Sequence, residues 1–214
     1  SDLTNLGVMT SLSEAEERDG ILERFKEMYA PGVGTGPVMD YLTETGLGLL
    51  KGEDILKNAP ETYKSDVEYA SDPFARSLRD VAQVHLADLG TRIFYTSHAG
   101  NYDTHSNQAP VHENALKELS RAITDFFEDL EDHEAADNVL MLVWTEFGRR
   151  VQDNGSGTDH GAGGGAFLIG NKVTGGLYGQ YPSLKPGDLS EGEDLAHTYD
   201  FRGLYGTILE QWMG

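Results

Sequence analysis

The sequence predicts an α/β fold whose sheet is mostly parallel, and three successive segments support that prediction. Val139-Leu140-Met141-Leu142-Val143 is a continuous apolar run rich in Val and Leu, the pattern of a strand covered on both faces. Residues 112–132 space Leu116, Leu119, Ile123, Phe126, Phe127 and Leu130 along one face of an amphipathic helix. Arg92-Ile93-Phe94-Tyr95-Thr96-Ser97 clusters aromatic and β-branched residues, as strands do. Strand, loop, helix and strand in that order make a βαβ unit with a right-handed crossover.

The remaining elements follow in chain order. Ser13 with the acids after it reads as a helix start, and Ile21, Leu22, Phe25 and Met28 recur at helical spacing. Pro31-Gly32-Val33-Gly34-Thr35-Gly36-Pro37 is a break. A second helix, 38–50, has Val38, Tyr41, Leu42 and Leu49 as its apolar residues. Residues 51–70 read as loop, with room for a short helix over 54–57. A third helix, 73–89, sets Phe74, Leu78, Val81, Ala82 and His85 on one face. Polar loops follow the strands at 92–97 and 139–144, and Ala166-Phe167-Leu168-Ile169 supplies a third strand. The expected organisation is a single domain over 1–214, mainly helical over 1–90, with the βαβ core over 91–214. At 214 residues the chain is long enough for one well-packed core or at most two small ones.

Composition narrows the function classes. With 36 acidic against 16 basic residues the formal net charge is −20, which repels phosphate backbones and anionic membranes. The expectation is therefore no nucleic-acid partner. No apolar run reaches transmembrane length, and no signal peptide is visible in the sequence. The absence of cysteine removes disulfides, thiolate metal sites and thiol catalysis. Any metal site has to be built from His and carboxylates.

Those residues concentrate in the two polar loops. In open α/β sheets ligands bind beyond the carboxyl ends of the strands. Asp103-Thr104-His105 follows the first strand; Glu146, Arg149 and Asp159-His160 follow the second. If the strands are parallel, both loops leave the same sheet edge and the groups face one crevice. Carboxylate oxygen with imidazole nitrogen suits zinc, and with added carboxylates or water suits manganese or iron. Two metals about 4 Å apart would clamp both oxygens of a phosphoryl or sulfuryl transfer. Arg149 can pair with an oxyanion through its planar fork, and Glu146 can serve as ligand, as partner to a His, or as base. The bland alternatives are a Glu146–Arg149 salt bridge and a simple flexible turn at glycines 161–165. His98, just after a strand, is the best extra ligand candidate. His85 is expected on a helix face, His112 near a helix start and His133 at a helix end. Thr104 and Thr158 are merely nearby hydroxyls.

These motifs resemble a known family. Asn101-Tyr102-Asp103-Thr104-His105-Ser106-Asn107-Gln108 is similar to the Asp-Thr-His element of the bacterial family catalogued as domain of unknown function 1501. Thr145-Glu146-Phe147-Gly148-Arg149-Arg150, Asn154-Gly155 and Gly157-Thr158-Asp159-His160-Gly161 look like its second signature. Gly175-Gly176-Leu177-Tyr178-Gly179 with Tyr181-Pro182-Ser183-Leu184 resembles its third, and Asp200-Phe201-Arg202-Gly203-Leu204-Tyr205 with Leu209-Glu210-Gln211-Trp212-Met213-Gly214 its closing segment. The resemblance covers residues 70–214. The family looks like a branch of the alkaline phosphatase and sulfatase superfamily. That likeness implies a three-layer α/β/α sandwich with a mostly parallel sheet and two divalent metals on Asp and His ligands. Asp159-His160 fits the superfamily's adjacent Asp-His pair, and Asp103 with His105 stands for the other acid–histidine set at a tighter spacing than the more familiar Asp-x-x-x-His. The superfamily's first metal-binding Asp and its Ser or Thr nucleophile lie on N-terminal strands, whereas residues 1–90 read as helical. The expected fold is thus incomplete at the N-terminus. Family members are commonly exported, which implies a periplasmic or extracellular location.

The functional expectation is a metal-dependent hydrolase-like domain acting on phosphate or sulfate esters. Asp103, His105, Asp159 and His160 are the expected metal ligands, with Glu146 and Arg149 in catalytic roles. The metal is divalent, zinc first, with manganese, iron or calcium as alternatives. The substrate is a small anionic ester or a sulfated or phosphorylated polymer. The alternative is a non-catalytic exported protein that keeps the fold and binds a partner or surface polysaccharide. A third reading is a structural fragment whose acid–His clusters pair as salt bridges.

Overall fold

A computed structural model describes residues 23–24, 27, 35–44, 63–88, 90–190 and 194–214. The helix expected from Ser13 to Met28, the break at 31–34, the end of the second helix and the short helix at 54–57 fall largely or wholly outside these residues. Residues 23, 24 and 27 are helical, as are 37–44. Within 37–44 the buried side chain is Thr43, while Val38, Tyr41 and Leu42 are exposed. The chain divides into two compact units, one of Ser1–His98 with Ala122–Leu130, the other of Ala99–Arg121 with Glu131–Gly214.

In the first unit, helix α1 spans Pro73–Leu86. Asp72 caps it, accepting from the backbone N–H groups of Phe74 and Ala75 at 3.0 and 2.9 Å, and Pro73 stands where a missing N–H costs nothing. Phe74, Ala75, Leu78 and Ala82 are buried, so the apolar stripe read from the sequence faces inward, and His85 is half-buried beside it. The expected strand at 92–97 does not form. The segment runs along α1 in the opposite sense. Its alternate side chains meet the helix: Phe94 edge-on to His85 at 6.5 Å, Thr96 hydroxyl to Ser77 hydroxyl, and His98 against Phe74 at 4.9 Å. Ile93 and Tyr95, on the other side, are exposed. The aromatic and β-branched clustering reflects an extended segment, but its partner is a helix face and not another strand.

Helix α2, Gln108–Asp132, contributes residues to both units. Its Ala122, Phe126, Asp129 and Leu130 are buried in the first unit. A buried carboxylate needs donors, and Asp129 accepts from the hydroxyls of Tyr63 and Tyr69. Burial, and then the Asp129 hydrogen bond, pushes both phenols above their ordinary pKa. Ala115 is the buried residue of the helix in the second unit, while Leu116 is exposed. His133 caps the C-terminal end, and a short 3-10 turn follows at Ala136–Asn138.

The sheets of the second unit overturn the predicted architecture. Strand β1, Met141–Val143, pairs antiparallel with β4, Phe167–Ile169, in the register Met141↔Ile169, Leu142↔Leu168 and Val143↔Phe167. Strand β2, Gly148–Asp153, pairs antiparallel with β3, Thr158–Gly161. The described residues therefore hold two separate two-stranded sheets, and the expected three-layer α/β/α sandwich with a mostly parallel, alkaline phosphatase-like sheet is incorrect. The reason is topological. A parallel return needs a crossover of a dozen or more residues, usually a helix. Between β1 and β4 the chain instead makes the β2–β3 hairpin and turns back. With 92–97 lying on α1, no strand among the described residues precedes α2 for β1 to join in a βαβ unit. After β4, a 3-10 turn at Pro186–Asp188 leads to a short helix α3, Phe201–Thr207, which continues as a π-turn over Ile208–Trp212.

Phe126 is 1% exposed, so Phe126→Ala is expected to lower the unfolding free energy by about 3–5 kcal/mol, measurable by denaturant titration. The raised tyrosine pKa values set a second expectation. The neutral phenols are favoured in the folded state, so this contribution is complete below the ordinary tyrosine pKa of about 10. It falls as pH rises above that value, where the unfolded chain ionises first. Tyr69→Phe should flatten that alkaline decline in unfolding experiments run from neutral to high pH.

Candidate metal centre

The β2–β3 hairpin is the platform. Asp153-Asn154-Gly155 has the Asn-Gly signature of a tight hairpin turn. Asn154 closes the turn: its N–H donates to the Gly157 carbonyl at 2.9 Å, and its side-chain oxygen accepts from Gly157 N–H at 3.0 Å. Arg149 and His160 are directly opposite in the register, so their side chains share a face. The predicted second polar loop is thus a hairpin, and Arg149, Asp159 and His160 stand on strands.

The loop before α2 lies on this platform. Gln108 N–H donates to the Ser156 carbonyl at 2.9 Å, and Gln108 Nε2 to the Thr158 hydroxyl at 2.8 Å. The approach is close enough that a Cβ at Gly157 would stand 2.5 Å from the His105 carbonyl oxygen and 2.6 Å from that of Thr104. Only glycine fits there. A Cβ at Gly148 would stand 1.7 Å from the carbonyl oxygen of Gly163, which accounts for a glycine at 148, where β2 meets the run after β3.

Arg149 fixes the loop's orientation. Its Nη1 donates to the Thr158 carbonyl at 2.6 Å, and its Nη2 to the Tyr102 carbonyl at 2.7 Å and to Asp103 Oδ1 at 2.9 Å. The terminal nitrogens expected to meet an oxyanion are thereby engaged within the protein. Arg149 positions Asp103. No ion pair joins it to Glu146 among the described residues. Glu146 is exposed just before β2 and accepts from the Thr145 hydroxyl at 3.5 Å.

Asp103, His105 and His160 converge. Asp103 Oδ1 is 3.0 Å from His105 Nε2 and 2.7 Å from His160 Nε2, and the two imidazole nitrogens are 3.2 Å apart. Three ligands of a tetrahedral zinc with bonds of about 2.0–2.1 Å stand roughly 3.3 Å from one another. The observed triangle is close to that. These three residues form a group that can hold a metal ion. The His160 hydrogen bond, and after it the Arg149 guanidinium, holds the Asp103 carboxyl below the usual carboxylate range, so its acceptor form is favoured. The side chains of all three are about half exposed, at 53%, 49% and 48%.

Asp159 takes a different place from its expected one. It sits behind His105, its Oδ1 3.2 Å from Nδ1, and Asn154 Nδ2 donates to the same oxygen at 3.2 Å and to the His105 carbonyl at 3.1 Å. The His105 contact, then Asn154, lowers the Asp159 pKa. A carboxylate on Nδ1 directs the other nitrogen's lone pair toward a metal. Phe147 stacks on the His160 ring with centroids 3.8 Å apart, limiting its rotation, and the Arg149 guanidinium lies 5.1 Å from the same Phe147 ring.

The sequence brought Asp103, His105 and His160 forward and missed Asn154, Gln108 and Phe147 as their supports. The Asn-Gly turn was the available signal for the hairpin and for Asn154. His98 belongs to the first unit, where it packs on Phe74, and His112 meets the Tyr102 ring edge-on at 6.0 Å within the second. Thr104 is buried, and the Thr158 hydroxyl accepts from Gln108.

A family model described as Protein of unknown function (DUF1501) matches residues 53–214. No curated protein and no solved structure matches the chain.

Removing the support behind His105 should weaken metal binding without unfolding the hairpin. Asp159→Asn is expected to lower divalent-metal affinity by about 10–100-fold, read by competition with a chromophoric chelator. His105→Ala should abolish binding. Equal affinity in Asp159→Asn and the unaltered protein would remove Asp159 from the centre.

Proposed function

The chain belongs to the DUF1501 family, and from that premise we propose that it is a metal-dependent hydrolase-like domain acting on phosphate or sulfate esters. The observation behind this reading is the convergence of one carboxylate oxygen and two imidazole nitrogens within 2.7–3.2 Å at a half-exposed surface. Asp103, His105 and His160 hold a single divalent cation, zinc first, with manganese, iron or calcium as alternatives. Such a cation supplies Lewis-acid polarisation of the ester oxygens and a lowered pKa for water.

The chain's own residues do the positioning. Arg149 holds Asp103 in place, Asp159 and Asn154 orient His105, and Phe147 backs His160. Glu146, exposed just before the hairpin's first strand, supplies an ionisable carboxylate for proton transfer. The likeness of these motifs to the alkaline phosphatase and sulfatase superfamily supports an anionic ester as substrate. That support rests on the motifs, because the described sheets are antiparallel. Within this reading the substrate is a small ester or a sulfated or phosphorylated polymer met outside the cytoplasm. A second reading draws on the exposure of all three ligands: the cation tethers a surface on which a partner or a polysaccharide binds, with no turnover.

Metal content by mass spectrometry, on protein purified without chelators, tests the proposal. About one equivalent of a divalent metal is expected, lost in both His105→Ala and His160→Ala with circular dichroism unchanged. The metal-loaded protein should then hydrolyse members of a phosphate- and sulfate-ester panel, and chelation should stop it. Equal metal content in both variants would remove the shared centre. Bound metal without turnover of any ester would favour the second reading.

A further inference from the structure

The turn that carries the candidate centre is also chemically reactive. Of the chain's eight asparagines, only Asn154 is followed by glycine. An asparagine side chain and the next backbone nitrogen can close a cyclic imide, and a side chain on the next residue hinders that closure. Gly155 has none. It is exposed at φ +106°, and nothing lies within 4 Å of where a Cβ would stand, so its peptide has room to turn. Both reacting groups are held by neighbours that favour the step. The Gly155 N–H, the nucleophile, donates to Asp153 Oδ1 at 2.8 Å, which places a carboxylate where the proton must go. The Asn154 side-chain carbonyl, the electrophile, accepts from the Gly157 N–H at 3.0 Å. That donor polarises the carbonyl and meets the charge that develops on its oxygen.

We propose that Asn154 is a self-modification site whose conversion weakens the candidate centre; the effect on the centre rests on the metal-binding reading above. Gly155 N bonds to Asn154 Cγ, and the Cγ–Nδ2 bond breaks. The proton leaves Gly155 N for Asp153, water returns one to Nδ2, and Nδ2 departs as ammonia. A second water opens the imide. Attack at Cγ leaves aspartate. Attack at the main-chain carbonyl carbon of residue 154 leaves isoaspartate, with the chain running through Cγ. Either product removes the Nδ2 donor that joins the His105 carbonyl to Asp159 Oδ1 at 3.1 and 3.2 Å. Aspartate sets a second carboxylate where the amide stood beside Asp159, like charge against like. Isoaspartate lengthens the main chain within the turn that holds Arg149 opposite His160. His105 loses part of its support in both cases. The two Nδ2 bonds also hold the intact amide in place, so conversion is slow and the centre has a finite lifetime.

Peptide mapping by mass spectrometry tests this on the full chain, kept folded in warm neutral buffer and sampled over time. Conversion at Asn154 is expected ahead of every other asparagine, with ammonia released in step. Asp153→Ser keeps an acceptor for the Gly155 N–H and removes the base, so it should slow conversion roughly tenfold or more. In guanidinium the variant and the unaltered chain should convert at the same rate, because the contact is then lost. Asn154→Asp should shift the His105 imidazole resonances and lower divalent-metal affinity by about 10–100-fold, with circular dichroism unchanged. An Asn154 that outlasts the other asparagines overturns the proposal. So does an Asp153→Ser chain that converts as fast as the unaltered one, or Asn154→Asp with the His105 resonances in place. A chain that converts at Asn154 and shifts those resonances, yet binds no metal when fresh, upholds the modification and overturns the metal reading alone.

Discussion

The Arg149 guanidinium is the interaction on which the candidate centre depends. It binds the carbonyl of Tyr102, the carboxylate of Asp103 and the carbonyl of Thr158, and so ties the loop before α2 to the hairpin. Its donors leave a rigid plane in fixed directions, which sets the loop's orientation as well as its distance. A lysine would bring one point charge and could not span the three acceptors. Gly157 is the steric counterpart. The loop backbone occupies the space its side chain would need, so the contact depends on an absent atom on one side and a five-donor fork on the other.

That clamp brings one carboxylate oxygen and two imidazole nitrogens to within about a van der Waals contact of one another. Ligand atoms gathered in this way can share a cation, and a chain of net charge −20 attracts cations over long range. The same charge works against an anionic substrate. A metal at Asp103, His105 and His160 would reverse the sign of the potential locally, which would reconcile the acidic composition with the proposed anionic ester.

The first unit meets its polar requirements by other means. Asp129 is buried on α2 and its Oδ2 accepts from two phenols, an arrangement that fixes the stretch around Tyr63 and Tyr69 against that helix. Phe94, Thr96 and His98 settle on α1 through ring and hydroxyl contacts in place of a backbone ladder. The extended character of 92–97 was legible in its aromatic and β-branched residues, and one face of the segment turns inward. What lay on that inward face was not legible, since a helix and a neighbouring strand impose the same two-residue period on an extended segment.

The sequence by itself determined the two principal helices, strands within 139–144 and 166–169, the residue types of the candidate site and the exclusion of thiolate ligands. Each of these is local: helical spacing, apolar runs, and residue types within a few positions of one another. It also brought forward the three residues that converge. Only the tertiary structure decided that the strands pair antiparallel, that Asp159 stands behind His105, that Arg149 serves Asp103, and that Asn154, Gln108 and Phe147 support the centre. Strand direction depends on where the chain returns, and the part a side chain plays depends on which distant groups reach it first. Asp103 and His160 are neighbours in space because a hairpin turns at Asn154-Gly155 and a loop can approach Gly157, relations between segments some fifty residues apart that no local pattern records.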